Sequence, residues 1–132
     1  MRAFLAGLFN PPAKGPAAPM RVVNLTRQTE IGRRIEVAGS GESRRKGLLG
    51  RTGLAEGEGL WIVPCEAVHT VGMKFPIDVL FLDRKLRVKK VRHAMGAWRL
   101  SGCLSAHSVL ELPAGTARSS QTSRGDQLEF IP

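Results

Sequence analysis

Hydrophobic and polar positions alternate in short bursts along this chain, separated by glycine and proline. In residues 33–37, RRIEV, Ile35 and Val37 fall on one face of an extended strand, and Arg34 and Glu36 fall on the other. Residues 21–27, RVVNLTR, alternate partly and contain β-branched residues. Both segments therefore read as strands, with residues 28–32 as the hairpin loop between them. Residues 60–63, LWIV, form a short buried strand that Pro64 stops. Residues 77–83, IDVLFLD, are apolar on both faces: Ile77, Val79 and Phe81 on one, Leu80 and Leu82 beside Asp78 on the other. Such a strand belongs inside a sheet. Residues 84–92, RKLRVKKVR, carry six basic side chains. Leu86 and Val88 share a face, while Val91 falls on the opposite one. This phase slip predicts a β-bulge near Lys89–Lys90, and the charge predicts an edge strand. Residues 107–112 and 127–131 complete the strands.

The breaker Gly39-Ser40-Gly41 precedes ESRRKGLLGR, residues 42–51. Here Ser43 is the expected N-cap of the single predicted helix, and Gly50 or Gly53 is its expected end. Residues 95–103 have no period and read as a loop. Many short strands with one short helix predict a mainly β fold, a compact antiparallel β-barrel or sandwich. A parallel α/β fold needs helical crossovers that this pattern does not supply.

Composition narrows the picture. A chain of 132 residues with 42% hydrophobic residues suits one domain with a packed core. Residues 1–19, rich in Pro, Ala and Gly, read as a disordered leader or a mis-called start ahead of a domain at residues 20–132. The opening MRAFLAGLF is short for a signal peptide, so the expected location is the cytoplasm, with export as the alternative. No apolar run reaches the ~18 residues that would suggest a membrane-spanning helix. A net charge of +9 favours acidic partners. Nucleic acid is nevertheless not the expected partner: with 5% aromatics and no Tyr, a stacking platform is missing.

At this point the ordered set SRRKGLLGRTGLAEGEGLWI (43–62), HTVGMKFPIDVLFLD (69–83), AHSVLELPAG (106–115) and RGDQLEF (124–130) resembles the DUF192 family, also called UPF0127. That is a family of small bacterial and archaeal proteins without an established activity. The matched positions are Arg44, Gly47 and Leu48, with Leu49 where Met is usual. They continue through Gly59 and Leu60 to Met73, Pro76, Ile77 and Asp78. The resemblance implies a compact β barrel-like domain and, from the many relatives that look secreted, possible association with the cell envelope.

Cys65, His69 and Asp78 are the candidates for chemistry. A Cys–His pair can supply a thiolate nucleophile, and with Met73 it can hold a soft metal. Spacing argues against this, because four steps along a strand span about 13 Å. The bland roles are core packing for Cys65 and Met73 and a satisfied strand-end residue for His69. Asp78, once buried, needs backbone N–H donors, an arginine or a ligand. The sequence thus predicts a non-catalytic binding module for a peptide or envelope component. Met73, Lys74, Asp78, Trp98 and Arg99 are its ligand-binding candidates, between residues 64–76 and 93–105, with no cofactor or metal expected. The alternatives are a small enzyme or soft-metal site on Cys65, His69 and Asp78, and a basic adaptor for nucleic acid or anionic surfaces. The ligand or protein partner itself is not specified by any residue.

Overall fold

A computed structural model of the chain describes residues 18–132, so most of the leader expected at residues 1–19 lies outside the described residues. The described chain folds as nine strands and two short helices. They run in the order β1 (Met20–Asn24), β2 (Thr29–Ala38), α1 (Gly41–Lys46), β3 (Glu58–Ile62), β4 (Ala67–His69), β5 (Ile77–Leu82), β6 (Val88–Met95), β7 (Leu100–Gly102), β8 (Ser108–Pro113), α2 (Thr116–Ser119) and β9 (Leu128–Ile131). Seven strands form one sheet in the order β6-β5-β8-β3-β2-β1-β9, and β4 and β7 form a separate ribbon. The large sheet curls into a half-barrel. Its two ends meet at one corner, where Leu128 N–H donates to the Leu86 carbonyl at 3.0 Å and Val88 N–H to the Asp126 carbonyl at 2.9 Å. The mainly β, barrel-like architecture is the one the alternation predicts.

Each face of the curl carries its own core. Trp61, Leu80, Leu82, Leu110 and Leu112 pack on one face with Val22 and Ile35. Leu60, Ile62, Ile77, Val79, Phe81 and Val109 pack on the other, under Leu48, Cys65 and Val68. This two-sided burial explains why β5, whose six residues are all buried, has no polar face. The strand pairs with both β6 and β8, as an interior strand must. The expected bulge is present too: Phe81 faces Lys90 and Leu82 faces Val88, so Lys89 is the extra residue. β6 is an edge strand, as its charge predicts.

Several local readings need correction. The sheet is not wholly antiparallel, because β2 and β3 run parallel. Residues 39–57, with α1 inside them, are long enough to carry the chain back for a parallel pairing. The helix begins one turn early: Ser40 is the N-cap, and Ser43 closes a capping box on it. Gly47 ends the helix with φ of 52°, which leaves Leu48 free to bury itself outside the helix. The first hairpin turns earlier than expected, between Asn24 and Thr29. Finally, residues 100–102 are not loop but β7, recruited by pairing with β4. A short second helix, α2, also lies beyond the single one predicted.

Gly59 shows how tightly the sheet packs behind the site. A Cβ there would sit 2.8 Å from the Glu111 carbonyl oxygen and 2.8 Å from Ile35 Cδ1, so no larger residue fits without moving backbone. At the far end of the sheet, Asn24, Arg27 and Ser123 N–H all donate to Asp126 Oδ2 at 3.0–3.1 Å. Burial alone would raise the Asp126 carboxyl, but these hydrogen bonds hold it below its ordinary value.

Candidate functional site

A cleft of about 650 Å³ opens between the end of α1 and the β4 edge. Its walls come from Gly47, Leu48 and Leu49 after the helix, Ile62 at the end of β3, the segment from Cys65 to Met73, and Leu100 of β7. The geometry follows from the local sequence. Gly47 turns the chain sharply, so Leu48 drops into the core (2% exposed) while Leu49 stays at the mouth (42% exposed). The ribbon pairing holds Leu100 outward at 75% exposure, and Val71 at 43% completes the apolar rim. Arg44, Arg45 and Lys46, in the last turn of α1, form the polar rim.

Glu111 lies at the cleft's inner wall. Alternation along β8 points Leu110 and Leu112 into one core, so Val109 and Glu111 must face the other. The carboxylate is 5% exposed, and its Oε1 is a buried atom with no hydrogen-bond partner among the described residues. Burial pushes its pKa up to about 7, opposed by the Arg51 guanidinium. Arg44 Nε is likewise buried and unpartnered, although its NH1 donates to the Gly39 carbonyl at 2.8 Å. The cleft wall therefore holds one unused acceptor and one unused donor.

The residues singled out from sequence divide. Cys65, His69 and Met73 line this cleft. Cys65 Sγ donates to the Ala67 carbonyl at 3.1 Å, while His69 Nδ1 accepts from Val71 N–H at 3.3 Å. Each is occupied locally, and among the described residues no hydrogen bond joins them. Burial pushes the Cys65 thiol up, against the lowering pull of its bond to Ala67, so little thiolate is present at neutral pH. Both cysteines are free thiols. Among the described residues, no group of three or more His, Cys, Asp or Glu is placed to hold a metal ion. Lys74, Trp98 and Arg99 do not line the cleft. Thr70 stitches their segments together instead: its Oγ1 donates to the Gly96 carbonyl at 2.6 Å and accepts from Arg99 N–H at 2.9 Å. Trp98 stands out at 69% exposure, whereas Trp61 packs against Phe130 on the opposite core, ring centroids 4.2 Å apart.

Asp78 is fully buried and serves the fold. Its Oδ1 accepts from Ala94 N–H at 2.8 Å, and its Oδ2 accepts from Gly115 N–H at 3.1 Å and Ala117 N–H at 2.9 Å. The carboxylate thereby ties β5 to the start of α2 and to a second irregularity in β6, where Ala94 has φ of 45°. Sequence reasoning passed over Glu111. The signal available was a carboxylate in HSVLEL, sharing a face with Val109 in a strand with leucines on the other face.

The architecture defines a mainly β half-barrel domain with a lined cleft beside α1. This chain belongs to the DUF192 family, described as an uncharacterized conserved family, whose model matches residues 22–130. Two solved structures share the fold. One is a protein of unknown function from Novosphingobium aromaticivorans, 22% identical, with a TM-score of 0.73 over 89% of this chain and 94% of that one. The other, from Sinorhizobium meliloti, is described as a candidate transcription regulator. It is also 22% identical, with a TM-score of 0.76 over 90% of this chain and 98% of that one. No curated protein matches the chain. No helix among the described residues is long and apolar enough to cross a membrane.

Proposed function

We propose that this domain is a non-catalytic binding module whose ligand site is the cleft beside α1. The observation that carries this reading is the wall itself. A concave site of about 650 Å³ has an apolar rim of Leu49, Val71 and Leu100 that the fold leaves in water. Exposed apolar side chains gathered around a concavity mark a binding surface far more often than scattered ones do. The thiol chemistry that Cys65 and His69 suggested has less support, because the thiol is buried and bonded to backbone. The test uses the anionic dye anilinonaphthalene sulfonate on the native full chain. The dye is expected to bind with enhanced fluorescence, and L100N combined with V71N, which adds no charge, is expected to weaken binding about tenfold through lost apolar contact. Both positions are exposed, so the double variant should still fold. Equal dye binding by variant and wild type would overturn the reading.

A second reading rests on a separate feature. A groove of about 580 Å³ is lined by Lys89, Lys90, His93 and Arg124 with Ser105 and Ser123. Its basic lining suits the phosphates of duplex DNA, and one fold neighbour, from Sinorhizobium meliloti, is described as a candidate transcription regulator. If phosphates sit there, DNA affinity falls steeply with salt. Neutralising Lys89, Lys90 and Arg124 to Gln should then flatten the log–log slope by about 2.7. An unchanged slope removes the adaptor role.

A further inference from the structure

We propose that the cleft beside α1 binds the C-terminal end of an extended apolar peptide. The peptide's carboxylate would lie on the Arg45–Lys46 rim, and its backbone would add to the free edge of β4. This rests on the binding-module reading and names the ligand class for it.

Four features of the site converge on that chemistry. The first is the unpaired edge. Among the described residues β4 pairs only with β7, with Ala67 opposite Gly102, Val68 opposite Ser101 and His69 opposite Leu100. The bonds flanking this ladder run from Cys103 N–H to the Glu66 carbonyl and from Thr70 N–H to the Arg99 carbonyl, both at 2.9 Å. Antiparallel pairing alternates, so residues 66, 68 and 70 spend their backbone groups on β7. Ala67 and His69 turn theirs to the other side, where the Ala67 carbonyl shares its oxygen with the Cys65 thiol at 3.1 Å, and both residues line the cleft. A third strand can be added there by main-chain hydrogen bonds, which asks only that the ligand be an extended peptide.

The second feature is the pair of unsatisfied polar atoms. Glu111 Oε1, on a side chain 5% exposed, and Arg44 Nε are buried without partners in the wall of this same cleft. A buried group left unpaired is costly, so native structures leave few of them. A peptide unit offers the complement of both: an N–H for the carboxylate oxygen and a C=O for the guanidinium nitrogen. Both atoms lie just beneath the cleft surface, so each side chain must turn to meet the peptide; a hydrocarbon chain offers neither partner.

The third feature is the apolar surface, where Ile62, Val68, Met73 and Leu100 give alternate side chains of a strand somewhere to rest. The fourth is charge. The rim facing the cleft from α1 carries Arg44, Arg45 and Lys46, and among the described lining residues Glu111 is the only acid. A ligand with one negative end and an otherwise uncharged apolar body matches this distribution. A free peptide C-terminus is such an end.

The probes are N-acetyl-Leu-Val-Leu with a free carboxylate, the same tripeptide as its C-terminal amide, and dodecanoate. Each is titrated into the full chain at pH 7 and followed by amide chemical shifts. The expected result is binding of the free-acid peptide about tenfold tighter than the amide. The largest shifts should fall on Ala67, His69 and the α1 C-terminus. R45Q combined with K46Q, both exposed and without side-chain hydrogen bonds among the described residues, should abolish the difference between acid and amide. Acid and amide binding equally, or neither binding, overturns the proposal. Dodecanoate displacing the peptide overturns it in favour of a lipid ligand. Retained dye binding in those cases leaves the cleft standing as a site, so failure of the peptide assignment is separable from failure of the binding module.

Discussion

Glu111→Gln is expected to make the domain more stable at pH 8 by about 3 kcal/mol and to change little at pH 4. The reasoning starts from where the carboxyl sits. Burial raises its pKa from the ordinary 4.5 to about 7, with the Arg51 charge pulling the other way. In the unfolded chain the group releases its proton near its ordinary value. Between pH 4.5 and 7 the unfolded state therefore loses a proton that the folded state keeps, and stability falls as pH rises through that window. Above pH 7 both states are ionised, and the fold carries the whole cost of a buried charge. A shift of about 2.5 units corresponds to about 3 kcal/mol. Gln keeps the shape and an acceptor oxygen but has no proton to lose. Urea denaturation of both proteins at pH 4, 6 and 8 checks this. The quantity to read is the difference between variant and wild type, in which the contribution of every other group cancels. A difference that stays flat from pH 4 to 8 would mean that Glu111 finds a partner or water the structure does not show. Asp126 works in the opposite sense and at lower pH: its lowered pKa contributes stability above about 4 that is lost on further acidification.

That a native fold retains such a carboxylate bears on the site. Leu or Met at position 111 would remove the cost and extend the apolar wall beside Val109 and Ile62. A group that weakens the fold at neutral pH, with an unpaired oxygen in the wall of a cleft, is the kind of residue that function retains. The same protonation step would alter the hydrogen-bonding face shown to a ligand: an acceptor when ionised, a donor on one oxygen when protonated.

How much of this was legible follows from which forces are local. β5 announced itself because every residue from Ile77 to Leu82 is buried, so the apolar run could not be mistaken for a surface strand. The bulge at Lys89 was legible because a phase slip between Val88 and Val91 has one cheap structural solution. The resemblance carried by residues 43–62 and 106–115 fixed the family. What stayed hidden depends on contacts distant in sequence. β7 exists because Val68 and Ser101 pair across the chain, and LSG alone has no strand signal. The parallel β2–β3 pair depends on the route of residues 39–57, which composition does not specify. Of the residues singled out for a site, Cys65, His69 and Met73 line one cleft, and Lys74, Asp78, Trp98 and Arg99 do not. Its floor was missed, because nothing in HSVLEL reveals that the face shared by Val109 and Glu111 opens onto a cleft. Attention went instead to Asp78, the carboxylate with the more conspicuous apolar neighbours.

Asp78 carries the other large expected effect. Asp78→Ala should destabilise the domain by about 4 kcal/mol, enough to unfold a marginal protein of this size. The carboxylate accepts from Ala94, Gly115 and Ala117 N–H groups, and the side chain is wholly buried. Alanine would leave those donors facing a small void with no acceptor. Each lost bond to a charged acceptor in such a place costs about 1.5–3 kcal/mol, reduced where the backbone can relax toward water. Gly115 and Ala94 are exposed and can recover some solvation; Ala117, at 1% exposure, cannot. The loss should be structural in its reach, because the three donors belong to β6 and to the turn into α2. Amide exchange in Asp78→Ala is expected to quicken first at residues 93–95 and 114–118, before the β2–β3 pair is affected. Asp78→Asn separates geometry from charge. Its one oxygen can still serve the Gly115 and Ala117 donors, while its amide nitrogen meets Ala94 N–H donor to donor, so a cost of about half is expected, centred on β6. If Asp78→Ala melts with the wild type, the carboxylate is not what holds β6 and α2 to β5. Its burial beside Leu80 and Leu82 would then need a reason outside the fold.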